Sequence, residues 1–101
     1  MLGYTLLWLV PDERNANIVQ LGVSSSELTV TQYRLMLTLD GGRTRNEQDI
    51  TLAPGEEWER RVVVPSGPEQ GDIEAVLYRV NVPGAGAVYR RVVLPRAPQG
   101  Q

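Results

Sequence analysis

Cysteine, histidine, lysine and phenylalanine are all missing from this 101-residue chain, and three of the four absences each remove a class of chemistry. Without cysteine there is no disulfide, thiol nucleophile, thiolate zinc site or iron–sulfur cluster. Without histidine the usual general base near neutral pH and the commonest transition-metal ligand are gone. Without lysine there is no Schiff-base or phosphate-loop amine, and all ten cationic side chains are arginine. Arginine suits bidentate cross-strand pairs with carboxylates, although a compositional bias of the source genome is the preferred explanation. Charge of one sign is also lacking: the net value is -2 with both signs interspersed, so nucleic acid and anionic lipid find no electrostatic footprint. Long apolar runs are missing too. Tyr4-Thr5-Leu6-Leu7-Trp8-Leu9-Val10 is far too short to cross a bilayer and has no basic n-region or cleavage site, so it reads as a strand and the chain is not expected to insert into a membrane.

What is present is alternation with a period of two, punctuated by turn residues. Tyr33, Leu35, Leu37 and Leu39 point one way while Gln32, Arg34, Thr38 and Asp40 point the other, with Met36 an apolar exception on the outer face. A one-residue slip of that register would expose four large side chains at about 1.5 to 3 kcal/mol each, which fixes it firmly. Six further strands are expected at about Tyr4–Val10, Ala16–Val23, Thr44–Leu52, Glu57–Val64, Asp72–Val82 and Ala87–Leu94. In the second, Val19, Leu21 and Val23 form the core face; in the fifth, Trp58, Arg60, Val62 and Val64 share one side. The polar fourth strand reads as an exposed edge whose charges Arg43, Arg45, Glu47 and Asp49 guard against aggregation. The sixth is apolar on both faces and reads as central.

Between them lie Pro11–Asn15, a Ser24-Ser25-Ser26-Glu27 loop, an Asp40-Gly41-Gly42 hairpin turn, Ala53-Pro54-Gly55-Glu56 as a type II turn, Pro65–Gly71 and Pro83–Gly86. No segment carries a helical period. The fold class expected is all-β, an antiparallel immunoglobulin-like sandwich of about seven strands, forming one domain over residues 1–95 with a flexible tail at 96–101. A chain this long buries roughly 60 to 65% of its unfolded surface, enough for a core without disulfides. With Met1 directly before the first strand, the chain reads as either a very small protein or a module excised from a larger one, and the second is preferred.

The matching features Tyr4-Thr5-Leu6-Leu7-Trp8-Leu9, Tyr33-Arg34-Leu35, Leu39-Asp40-Gly41, Leu52-Ala53-Pro54-Gly55-Glu56-Glu57-Trp58-Glu59, Ala75-Val76-Leu77-Tyr78-Arg79 and Tyr89-Arg90 run from Tyr4 to Leu94. In this order they resemble a prokaryotic extracytoplasmic Ig-like domain of unknown function, found at the C-terminus of multi-spanning membrane proteins. The resemblance implies an extracytoplasmic location, at the cell surface or attached to a membrane, and brings no active-site residues.

Three constellations have the residue types of a site. Glu57 and Glu59, two apart on one strand face and about 7 Å from each other, fall within the spacing of an inverting glycosidase. A flat solvated face lacks the cleft that raises a carboxyl pKa, so pairing with arginines (Arg60, Arg61, Arg79, Arg90, Arg91) is the preferred reading. Trp8, Trp58, Tyr4, Tyr33, Tyr78 and Tyr89 suggest a sugar-stacking platform, but without phenylalanine they must also supply the aromatic core volume, and core is preferred, above all for Trp58. Asp12-Glu13 and Asp40 with Asp49 lack the dense oxygen spacing of a calcium loop. No catalytic, cofactor-binding or metal-binding residue is therefore assigned, and no cofactor is expected. The function expected is a non-enzymatic structural or protein-interaction module. Its contacts would use an edge strand, the fourth or the seventh, to bind a protein partner or a second copy. The alternative is a carbohydrate-binding module using exposed aromatics.

Overall fold

A computed structural model describes residues 3–15, 17–39, 44–64, 71–80 and 86–95. Among them the chain forms seven strands and no helix: β1 (Tyr4–Pro11), β2 (Ile18–Ser26), β3 (Thr31–Leu39), β4 (Thr44–Leu52), β5 (Glu57–Val63), β6 (Ile73–Arg79) and β7 (Val88–Leu94). All pairings are antiparallel, in two sheets of order β1-β2-β5 and β4-β3-β6-β7. The expected Asp40-Gly41-Gly42 turn, Arg43, the 65–70 and 83–85 loop residues, the end of the sixth strand at 81–82 and the 96–101 tail lie outside the described residues.

Alternation builds the core. Val19, Leu21 and Val23 from β2, Leu9 from β1 and Val64 after β5 face Tyr33, Leu35, Leu37 and Leu39 from β3, Ile50 and Leu52 from β4, and Ile73, Ala75 and Leu77 from β6. All are buried, and together they make one apolar layer between the sheets of a β-sandwich. β3 and β6 are interior strands, as the apolar character of β6 on both faces required, and Val76 is buried even on the outer face. β4 is an edge, with Arg45, Glu47 and Asp49 exposed along it.

The turn after β4 forms as expected. Gly55 has φ +88 and Glu56 N donates to Ala53 O at 3.0 Å. Glu56 closes the turn a second time, its Oε1 accepting from Ala53 N at 2.7 Å.

One boundary is corrected. Ser24, Ser25 and Ser26 are not loop; they continue β2 and pair with Leu6, Thr5 and Tyr4. Serine does favour loops when its hydroxyl must find backbone partners. Here Ser25 is fully buried, and its hydroxyl accepts from the Tyr33 hydroxyl at 3.2 Å and from Glu27 N at 3.3 Å, so strand geometry costs it nothing.

Candidate functional site

The two lateral sides of the sandwich differ. On one, β1 lies against β7; on the other, β4 and β5 barely meet.

The β1–β7 side is tied by a polar cluster. The Thr5 hydroxyl donates to Glu27 Oε2 at 2.5 Å and hydrogen-bonds the Tyr33 hydroxyl at 2.7 Å. Tyr89 also donates its hydroxyl to Glu27 Oε2, and Arg79 stands 4.0 Å from Glu27 Oε1. Arg90 Nε reaches across to the Thr5 carbonyl at 3.0 Å. The guanidinium carbons of Arg79 and Arg90 sit 3.9 and 4.2 Å from the Tyr89 ring centroid. A bulge places Tyr89 there: Leu77 pairs with Arg90 but Tyr78 pairs with Val88, leaving Tyr89 as the extra residue. Gly3 packs directly on this cluster, since a Cβ there would approach the Glu27 Cα to 2.8 Å.

Partial burial acts to raise the Glu27 pKa, but the Thr5 and Tyr89 hydrogen bonds and the charges of Arg79 and Arg90 outweigh it and hold the carboxyl below its ordinary value. For Tyr89, burial followed by the Glu27 carboxylate pushes the phenol up. An anionic Glu27 held by donors is a weak base and a good anchor. The cluster joins β1, the end of β2, β3, β6 and β7, and its arrangement is that of a tie.

The β4–β5 side is a cleft of about 350 Å³. Leu21, Leu35, Leu37 and Leu39 form its apolar floor, while Trp58, Val62 and Arg60 on β5 and Asn46 and Gln48 on β4 form its lips. The alternation that sends Ile50 and Leu52 inward sends Asn46 and Gln48 inward as well, but no strand covers them and both are exposed. Arg60 Nη1 donates to Gln48 Oε1 at 3.3 Å, bridging the two sheets across the opening.

The residues singled out as possible sites fall as follows. Glu57 and Glu59 are exposed on the outer face of β5, facing away from the cleft. The arginines expected to pair with them are used otherwise: Arg61 pairs with Asp12 at 3.3 Å, Arg91 with Glu74 and Arg79 with Glu27, and among the described residues neither Glu57 nor Glu59 makes an ion pair. Asp12 also accepts from Arg14 N at 2.7 Å, so both carboxylate oxygens are engaged by the protein, and Glu13 is exposed. Asp49 pairs with Arg34 at 3.4 Å, and Asp40 lies outside the described residues.

The six aromatics are dispersed. Tyr33 is buried; Trp58 and Tyr89 are half-buried against the core from opposite sides; Tyr4 and Trp8 lie on the outer face of one sheet and Tyr78 on that of the other. No shared platform unites them. Trp8 lies on Gly22, its cross-strand partner, where an added Cβ would stand 2.1 Å from the indole. Alternation with the inward Thr5, Leu7 and Leu9 puts Trp8 on the outer face, and the glycine opposite leaves room for the ring to lie flat there.

Sequence reasoning missed the Glu27 cluster and the cleft. The only signals for the first were two hydroxyl residues, Thr5 and Ser25, at core-parity positions, and for the second the polar inward positions Asn46, Gln48 and Arg60. No helix among the described residues is long and apolar enough to cross a membrane. Compared with protein-family models, curated proteins and solved structures, the chain matches none.

Proposed function

We propose that this chain is a non-enzymatic immunoglobulin-like β-sandwich that serves as a structural or protein-interaction module, displayed outside the cytoplasm as part of a larger membrane-associated protein. The immunoglobulin-like reading is supported by the strand order, in which three hairpins are divided between sheets of three and four strands by crossings after β2, β4 and β5. The location rests on the resemblance of the strand and turn residues to an extracytoplasmic family. The observation that carries the interaction reading is the free edge of β4 beside an open, apolar-floored cleft. A sheet edge offers unpaired backbone donors and acceptors, and an adjoining cleft offers places for alternate side chains of an added strand. Of the two edges expected to serve, β7 is already flanked by β1, so β4 is the one available.

Site-specific photo-crosslinking in cells expressing the whole gene product tests this. A photoreactive side chain at Thr51 on β4, exposed and uncharged, should yield covalent protein adducts, whereas one at Gln20, on the outer face of the β1-β2-β5 sheet, should not. Adducts from Gln20 alone would overturn the edge reading. Accessibility of the domain to protease on intact cells tests the location.

One observation favours the carbohydrate alternative: Trp58 shares the cleft with Asn46, Gln48 and Arg60, an aromatic face beside planar polar groups. A glycan array without hits removes it; binding abolished by Trp58→Ala but not by Trp8→Ala would install it.

A further inference from the structure

The charges along β4 guard against indiscriminate edge pairing, yet their order admits one partner. On the outer face, Asp49 pairs with Arg34 of β3, its direct cross-strand neighbour. Arg45 and Glu47 remain: among the described residues Arg45 touches the sulfur of Met36 and no carboxylate, and Glu47 meets no cation. Both are exposed and stand two positions apart on an unpaired edge. An antiparallel two-fold pairing of this strand with itself must keep outward residues opposite outward ones, so the axis passes through a whole residue position.

The positions from 45 to 49 then separate cleanly. An axis at Arg45 sets arginine against arginine; at Glu47 it sets glutamate against glutamate, flanked by Arg45 against Asp49 twice; at Gln48 it sets Glu47 against Asp49 twice; and at Asp49 aspartate against aspartate. An axis at Asn46 sets Arg45 of each copy against Glu47 of the other, twice, with no like charges opposed. Directly opposed like charges destabilise a strand pair and opposite charges support it, so the pattern selects this register.

We propose that two copies of this chain associate by antiparallel pairing of β4 with β4, centred on Asn46, fusing the two four-stranded sheets into one of eight. This rests on the edge-interaction reading above and names its partner as a second copy. Because the axis stands perpendicular to the sheet, both β5 strands lie on the same side of it, and the mouths of the two clefts face each other.

Sedimentation from micromolar to millimolar concentration tests it with two exposed charge reversals. R45E and E47R should each weaken self-association by roughly tenfold or more, since each sets like charges opposite one another twice. An equimolar mixture of the two variants should associate about as well as the parent, and so should the double variant R45E/E47R, because each restores both opposed pairs. Melting in dilute solution should show all variants folded, these side chains being solvent-exposed. A parent chain that stays monomeric to millimolar concentration overturns the proposal; so does a dimer indifferent to either reversal, or one not restored in the mixture. If these fail while crosslinks from Thr51 reach a different protein, the edge-interaction reading stands and only the second copy falls. If no adduct forms from Thr51 at all, both fall.

Discussion

At the scale of single residues, two contacts decide how this sequence tolerates change. Gly22 is buried because Trp8 covers it, and a methyl group there would collide with the ring rather than with backbone. Gly22→Ala should therefore cost about 1 to 3 kcal/mol by lifting the indole away. In a Trp8→Ala background the same change should be neutral or stabilising, since alanine restricts the unfolded chain more than glycine does. Denaturant unfolding of the double-mutant cycle measures this, and additivity of the two changes would contradict the contact. Glu27 governs the pH response. Its folded pKa lies below its ordinary 4.5, so its contribution to stability is present above that pH and is lost as pH falls through the folded value. Tyr89 is shifted above 10.0, so its contribution is present below that pH and is lost as pH rises through the folded value. Urea midpoints should thus be flat between these limits and fall on both sides, and Glu27→Gln should flatten the acid limb. Identical acid limbs for parent and variant would show that the cluster does not couple to folding.

At the scale of elements, strand positions were legible wherever one face is apolar and the other polar. Tyr33, Leu35, Leu37 and Leu39 alternate with Arg34 and Thr38, and their burial follows directly. Ser24–Ser26 were not legible as strand, because what keeps Ser25 inside is the hydroxyl of Tyr33, which comes from another strand in the facing sheet. The bulge at Tyr89 was equally silent: one extra residue leaves the period of two intact on either side. Trp58 shows how parity and burial part company. It faces inward as its position in β5 requires, but β4 does not cover it, so it is half-buried at a cleft mouth. Leu77→Ala, in the closed part of the core, should cost about 2 to 5 kcal/mol. Trp58→Ala should fall short of the about 3 to 5 kcal/mol of a fully buried tryptophan. Guanidinium unfolding of both variants checks the order; a larger loss for Trp58→Ala would mean that the cleft closes in solution.

At the scale of the whole molecule, the sandwich is held shut on one side by Glu27 and its donors and left open on the other, where a polar edge strand runs beside an apolar floor. That asymmetry was not visible in the sequence, because it depends on which edges approach one another, and neighbouring edges are set by the crossings between sheets rather than by any local pattern. It leaves the chain with one side tied by hydrogen bonds and one side open. Residue-resolved amide hydrogen exchange in dilute solution tests this most directly. The account predicts slow exchange throughout β2, β3 and β6, and fast exchange at the β4 amides that point away from β3, slowing as concentration rises. Dilute-solution protection of those β4 amides equal to that of β3 would contradict it.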